Sequence, residues 1–124
     1  MTLSTIIPSL LNGLVNKRVW RNTTPDDIPR DANGNFQPFL LWSTPGGIQS
    51  EYVDQTMGQM ENRRLQIAAF SPSVITTENL IRQVRDTLLA SDYTVGVYGS
   101  PVGTYDTARK LHGEFQQYSI WYPQ

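Results

Sequence analysis

Three carboxylates lie within six positions, at Asp26, Asp27 and Asp31, and such a group could serve acid/base chemistry or hold a magnesium ion. Asp26-Asp27 directly follows Pro25 in turn-like sequence, so we expect no apolar surroundings that would raise a carboxyl pKa. The segment that starts at Asp31 also resembles part of a calcium loop, but its Gly34 is fourth and Trp42 occupies the twelfth place, where a bidentate Glu is needed. We therefore expect solvated turns here, with an Asn-Gly turn opened by Asp31.

His112 is the only histidine, so a conventional catalytic triad would depend on it. Ser100, Ser119 and Asp106 are available as partners, but no G-x-S-x-G elbow is present. The flanking Leu111 and Gly113 favour an exposed hairpin turn for His112. The spaced glycines from Gly96 to Gly103 match neither a phosphate-binding loop nor a dinucleotide fingerprint, and they are interpreted as a bent strand end.

Arg63 and Arg64 form an adjacent basic pair, and arginine suits fixed contacts to a protein partner as well as to phosphate. Acidic residues such as Glu61, Asp86 and Glu114 are interleaved with the basic ones, which argues against a nucleic-acid stripe. The chain is also rich in Tyr and Trp, and the combination of Tyr, Trp and Arg is typical of protein interfaces.

The composition argues against several classes of catalytic and metal site. The 124 residues fit a single domain, 1–124, and contain no cysteine, so no disulfide framework, thiolate nucleophile or cysteine-based zinc site is expected. Ten basic and 11 acidic residues give a net charge of −1, which predicts neither general nucleic-acid binding nor capture by anionic lipid. The apolar N-terminus lacks a preceding positive region and is broken by Pro8, so we expect a cytoplasmic product without a membrane anchor.

The elements that position these residues follow from periodicity. A helical stripe predicts a first helix over 4–16, capped by Ser4 or Thr5 with Pro8 in its first turn, and a second over 77–91, capped by Thr76 or Thr77. The predicted extended segments are 19–20, 39–42, 62–70, 93–98 (ended by Gly99-Ser-Pro101) and 115–122, with a turn at 110–113. Flexible polar loops are expected near 21–37 and 46–61. This order predicts an α+β fold with two helices on one face of a mainly antiparallel sheet.

Taken in order, these segments resemble a known family. The pattern consists of an N-terminal Leu-rich helix, Arg18-Val19-Trp20, Pro38-Phe39-Leu40-Leu41-Trp42, the strand Arg64–Phe70, an amphipathic helix ending near Leu88-Leu89, and the closing strand Gln117–Tyr122. It is similar to the small tail-completion, or tail-terminator, proteins of long-tailed bacteriophages and prophages. The resemblance covers nearly the whole chain, and residues 46–61 form a polar insertion outside it.

The resemblance implies a structural, non-enzymatic protein of the virion tail, made in the host bacterial cytoplasm. Such proteins cap the tail tube, commonly as a six-fold homo-oligomeric ring, and present a surface to the head connector. The resemblance implies no catalytic residue, metal or cofactor. The partners that it implies are the tail tube protein, the head-connector protein and further copies of the chain, and it implies no binding to a membrane or to a specific nucleic acid. Tyr52, Val53, Arg63 and Arg64 are the interface candidates.

Other functions remain open from the residues alone. A head-completion or neck protein shares the size and setting of a tail terminator, and a monomeric adaptor would dock one partner on an exposed strand. An enzyme or small-ligand binder would use Asp26, Asp27 and Asp31 together with His112.

Overall fold

The computed structural model describes residues 2–45 and 60–123, with the side chain of Met60 excepted. Two α-helices and five strands follow one another within these ranges. They are α1 (Leu3–Leu11) with a short 3₁₀ helix (Asn12–Leu14), β1 (Val19–Arg21), β2 (Phe39–Ser43), β3 (Met60–Ser71), α2 (Val74–Leu89), β4 (Thr94–Asp106) and β5 (Leu111–Pro123).

The strands form one sheet in the order β1-β2-β3-β5-β4. Only β1 and β2 run parallel, and the β2–β3, β3–β5 and β4–β5 pairs are antiparallel. Both helices pack on one face, here called the helix side, so the predicted α+β architecture is confirmed. No helix within the described ranges is long and apolar enough to cross a membrane.

The main core lies between the helices and the sheet. The stripe of α2 is buried as its periodicity predicts, and it packs on alternate residues of β3 and β5. In β3, Leu65, Ile67 and Ala69 are all buried on the helix side. Arg64, which points to the opposite face, is exposed, and this confirms the predicted half-buried strand. α1 joins the same core through Ile6, Ile7 and Leu11 among others.

The opposite face, here called the open face, carries no helix of the described chain. One end of it is covered by residues 22–38, which bury Ile28 against Phe39 and Leu111. Trp20, Phe36 and Phe70 complete this second cluster. The segment 22–38 is therefore held to the sheet at Ile28. The flexibility expected for the loop near 21–37 stays a prediction.

Both helices begin earlier than predicted. α1 starts at Leu3 with Thr2 in the N-cap position, so Pro8 lies inside the helix and the expectation of a first-turn proline is wrong. α2 starts at Val74, and its cap is Ser73, whose hydroxyl accepts from the Thr76 amide at 3.4 Å. Ser71-Pro72-Ser73 ends β3 and starts α2 at once, and this double use conceals the helix start in the sequence.

The two last strands are longer than predicted. β4 continues past Gly99-Ser-Pro101 to Asp106, and the reversal lies at 107–110 instead of 110–113. The Asp106 carboxylate accepts from the amides of Ala108 and Arg109 at 3.0 and 3.2 Å, and Lys110 takes a positive φ of 57°. His112 consequently lies within β5, half-buried beside the ring of Tyr105 at 4.9 Å, and the expected exposed turn is wrong.

Candidate interaction surface

β4 is an outer strand of the sheet and the most exposed element of the fold. It pairs with β5 on one side, and no strand of the described residues pairs with its other side. Eleven of its 13 residues are exposed and the remaining two are half-buried. An edge of this length presents a row of backbone N–H and C=O groups that can pair with another chain.

A bulge in the middle of β4 bends this edge. The register with β5 shifts between Tyr98 and Val102, and Gly99 within the shift has a φ of +68°. Buried Gln116 on β5 fixes the bulge, since its side-chain amide donates to the backbone carbonyls of Tyr98 and Gly99. Gly99-Ser-Pro101 therefore bends the strand without ending it, because Gln116 supplies the partners that the ladder loses there.

Apolar side chains project from β4 on both faces of the sheet. Val97 and Tyr105 lie on the helix side, whereas Tyr98 and Val102 lie on the open face. The four are between 39 and 50 % exposed. α2 packs mainly on β3 and β5 and contacts β4 less, so these four side chains stay exposed. β4 thus combines an unpaired backbone edge with exposed apolar side chains, the two features that strand addition between chains uses.

Arg64 connects β3 to this edge across the open face. Its guanidinium carbon lies 4.4 Å from the centre of the Tyr98 ring, and Nη1 donates to Gln117 Oε1 at 3.4 Å. The Gln117 amide in turn donates to Gln66 Oε1 at 3.3 Å. Arg64 is exposed, so its contact with Tyr98 places one predicted interface residue beside the candidate edge strand.

Arg63 belongs to a different site, because adjacent residues of a strand point to opposite faces. Its Nε lies 3.0 Å from Glu61 Oε1, and both residues are within hydrogen-bonding reach of the Tyr122 hydroxyl. The hydrogen bond to Glu61 raises the pKa of Arg63. The two arginines are therefore not one patch. Tyr52 and Val53, the other interface candidates, and most of the predicted loop 46–61 lie outside the described residues, while residues 60 and 61 belong to β3.

The acidic loop forms the predicted turn. Asp31 Oδ1 accepts from the amides of Asn33 and Asn35 at 2.9 and 3.0 Å, and Gly34 has a φ of +82°. Among residues 2–45 and 60–123 there is no group of three His, Asp or Glu side chains placed to hold a metal ion.

The residues weighed for a triad are not brought together. His112 projects from β5 toward the helix side, whereas Ser119 projects from the same strand toward the open face, where Asn62 donates to its hydroxyl at 2.7 Å. Asp106 is engaged in the turn at the end of β4. This arrangement does not assemble a nucleophile, base and orienting acid from these three residues.

Sequence reasoning missed the β4 surface, although one signal of it is present. The run from Thr94 to Tyr105 contains no charged residue. Exposed edge strands are usually protected by charges, so an uncharged edge indicates one that pairs. The signal cannot be used from sequence alone, because only the strand order identifies β4 as an edge.

Comparisons with known proteins leave the surface to be interpreted from its own geometry. No protein-family model matches the chain, and no curated protein is significantly similar to it in sequence.

Proposed function

We propose that this chain is a structural protein of a long-tailed bacteriophage or prophage, which caps the tail tube as a homo-oligomeric ring and joins it to the head connector. The proposal places it in the virion tail after synthesis in the host cytoplasm. It rests on the order of sequence segments that resembles tail-completion proteins, and the observation that carries it is the exposed, uncharged edge strand β4.

A ring would give the β4 edge a pairing partner from a neighbouring copy. In a closed ring each copy uses two different patches, one for each neighbour. β4 provides one patch, with backbone groups for pairing and Val97, Tyr98, Val102 and Tyr105 for apolar contact. The second patch must lie elsewhere on the molecule, and the other edge strand, β1, spans only three residues. A neighbour that added a strand to β4 would bury these side chains.

The test is the solution mass, measured by light scattering over a wide protein concentration range with and without purified tail tubes. We expect a closed ring, or a monomer that forms a ring only on tube ends. A monomer indifferent to tubes at every concentration would overturn the proposal and favour an adaptor. Binding to purified tail-less heads, without any binding to tubes, would instead indicate a head-completion protein.

Two matched variants locate the contact. Val102→Lys places a charge on the β4 edge, where the native side chain is 50 % exposed, and should abolish the ring. Ile75→Lys changes a side chain that is 67 % exposed on α2 and not on the β4 edge, and should leave the ring intact. Equal effects of the two substitutions would remove β4 from the interface.

A further inference from the structure

A cleft of about 210 Å³ separates α2 from β5 and the bulge of β4. Its floor is formed by Gln116 and Tyr118, which are 2 and 0 % exposed, and Pro101 of the bulge closes one side. α2 forms the opposite wall through Glu78, Ile81, Arg82 and Arg85.

Tyr118, which lines this cleft, carries an unpartnered polar atom. The Tyr118 hydroxyl is fully buried and has no hydrogen-bond partner in the described chain. Burial raises the pKa of Tyr118 to about 12, with Arg85 opposing the shift and Asp86 adding to it. The phenol therefore keeps its proton near neutral pH and offers a donor that no protein acceptor uses. Buried hydroxyls without a partner are rare, and because this one belongs to a residue that lines a cleft, a bound ligand is a candidate for its partner.

The charged residues of the cleft are divided between its two ends. Arg85 lies at the end of the Tyr118 hydroxyl, and Glu78 lies at the other end, seven residues earlier on α2, which is about 10 Å along a helix. Glu114 of β5 joins Glu78, and Arg82 lies between the ends. Neither arginine forms an ion pair with either glutamate within the described residues.

The two glutamates form a negative end with no cation at ion-pairing distance in the described chain. Desolvation raises the pKa of Glu114, the charge of Glu78 raises it further, and Arg82 lowers it by less. The cleft as a whole carries two positive and two negative side chains, so it favours a ligand with separated charges over a simple anion or cation.

We propose that this cleft binds a dipolar, lysine-like ligand, whose carboxylate or carbonyl oxygen accepts from the Tyr118 hydroxyl and Arg85 and whose terminal cationic nitrogen meets Glu78 and Glu114. The ligand is either a free ω-amino acid or a lysine or arginine residue of a polypeptide, since both present this pair of groups. The inference rests on the cleft alone and is independent of the ring.

The experiment titrates the full chain with 6-aminohexanoate and with L-lysine, and follows backbone amide shifts by NMR. Hexanoate and 1-aminohexane each carry one of the two charged groups and serve as half-ligands. Nα-acetyl-lysine methylamide represents a lysine within a polypeptide. Binding of the free zwitterions alone assigns a small-molecule site, whereas binding of the amide assigns a polypeptide residue.

Two variants test the named contacts. Tyr118→Phe and Glu114→Gln should each weaken binding about tenfold, since each removes one hydrogen-bonding or charged contact at opposite ends of the ligand. Tyr98→Phe, which alters an exposed ring on the open face, is the control and should bind as the native chain does. Thermal melts of all three identify any variant that has unfolded.

The proposal is overturned if no whole ligand binds at millimolar concentration. It is equally overturned if either half-ligand binds as tightly as the zwitterion, or if Tyr118→Phe, still folded, binds with unchanged affinity.

Discussion

The two buried tyrosines of β5 should respond oppositely to loss of their hydroxyl groups. Tyr118 and Tyr122 project from the same face of one strand, and their exposed fractions are 0 and 4 %. The Tyr118 hydroxyl has no partner in the described chain, whereas Glu61 and Arg63 lie within hydrogen-bonding reach of the Tyr122 hydroxyl. Tyr118→Phe should therefore stabilise the fold, and Tyr122→Phe should destabilise it.

The magnitudes follow from the surroundings of each oxygen. A buried hydroxyl without a partner costs about 1–3 kcal/mol, and removing it leaves a void of about 10 Å³ that costs only ~0.2 kcal/mol. We expect a gain of about 1 kcal/mol for Tyr118→Phe. Tyr122→Phe loses a bond to charged groups, but Glu61 and Arg63 are partly exposed and remain paired with each other, so a loss of about 1 kcal/mol is expected.

Urea denaturation of the two variants and the native chain measures these free energies of unfolding. The melting temperatures should differ between the variants by about 8 °C, since 1 kcal/mol shifts a domain of this size by roughly 4 °C. All samples must have the same concentration, because any self-association would add to the apparent stability. If Tyr118→Phe destabilised the fold as much as Tyr122→Phe, the Tyr118 hydroxyl would have a partner and the reasoning on the cleft would fail.

Three further substitutions test local features of the fold. Gly113→Ala should destabilise by about 1–3 kcal/mol in chemical denaturation, because a Cβ there would lie 2.6 Å from the Phe70 ring, and wild-type stability would contradict this packing. Ser73→Ala should lower the melting temperature through a loss of about 0.5–1 kcal/mol, the low end for an N-cap because its bond to the Thr76 amide is 3.4 Å. Because the pKa of Glu114 is raised in the folded state, its contribution to stability is fully present below the unfolded-state pKa near 4.5 and is lost as the pH rises through the folded-state pKa. Glu114→Gln should therefore make the free energy of unfolding less dependent on pH in that range. An unchanged pH profile for that variant would show that the carboxyl is fully solvated.

The sequence predicts those elements whose pattern is local. The stripe of α2 and the alternation of Leu65, Ile67 and Ala69 each repeat within a few residues, so their burial is predictable without any partner. The fold class follows from the order of such elements. The alternation in β3 also places Arg63 and Arg64 on opposite faces, although as neighbours in the sequence they suggest a single patch.

The candidate surfaces depend on long-range placement and could not be predicted in the same way. Glycine, serine and proline at 99–101 favour a strand end locally, but the amide of Gln116, which is 17 residues from Gly99, binds the backbone at the bulge, and pairing with β5 resumes at Val102. That β4 is an edge follows from the strand order, which no local pattern encodes. The unpartnered hydroxyl of Tyr118 is a property of the packed interior, since the sequence indicates only that tyrosines alternate in β5.

Gln116 links the cleft to the edge strand, and its removal should therefore affect both. Its side chain forms part of the cleft floor and holds the carbonyls of Tyr98 and Gly99 at the bulge. Gln116→Leu keeps an apolar volume but leaves two carbonyls without that donor, which should cost about 1–3 kcal/mol and release the bend of β4. We expect this variant to lose ligand binding and ring formation together, whereas Tyr118→Phe weakens only ligand binding and Val102→Lys abolishes only the ring. A folded Gln116→Leu chain that retained both properties would show that the bulge is set by its own residues, and that the cleft and the edge are independent.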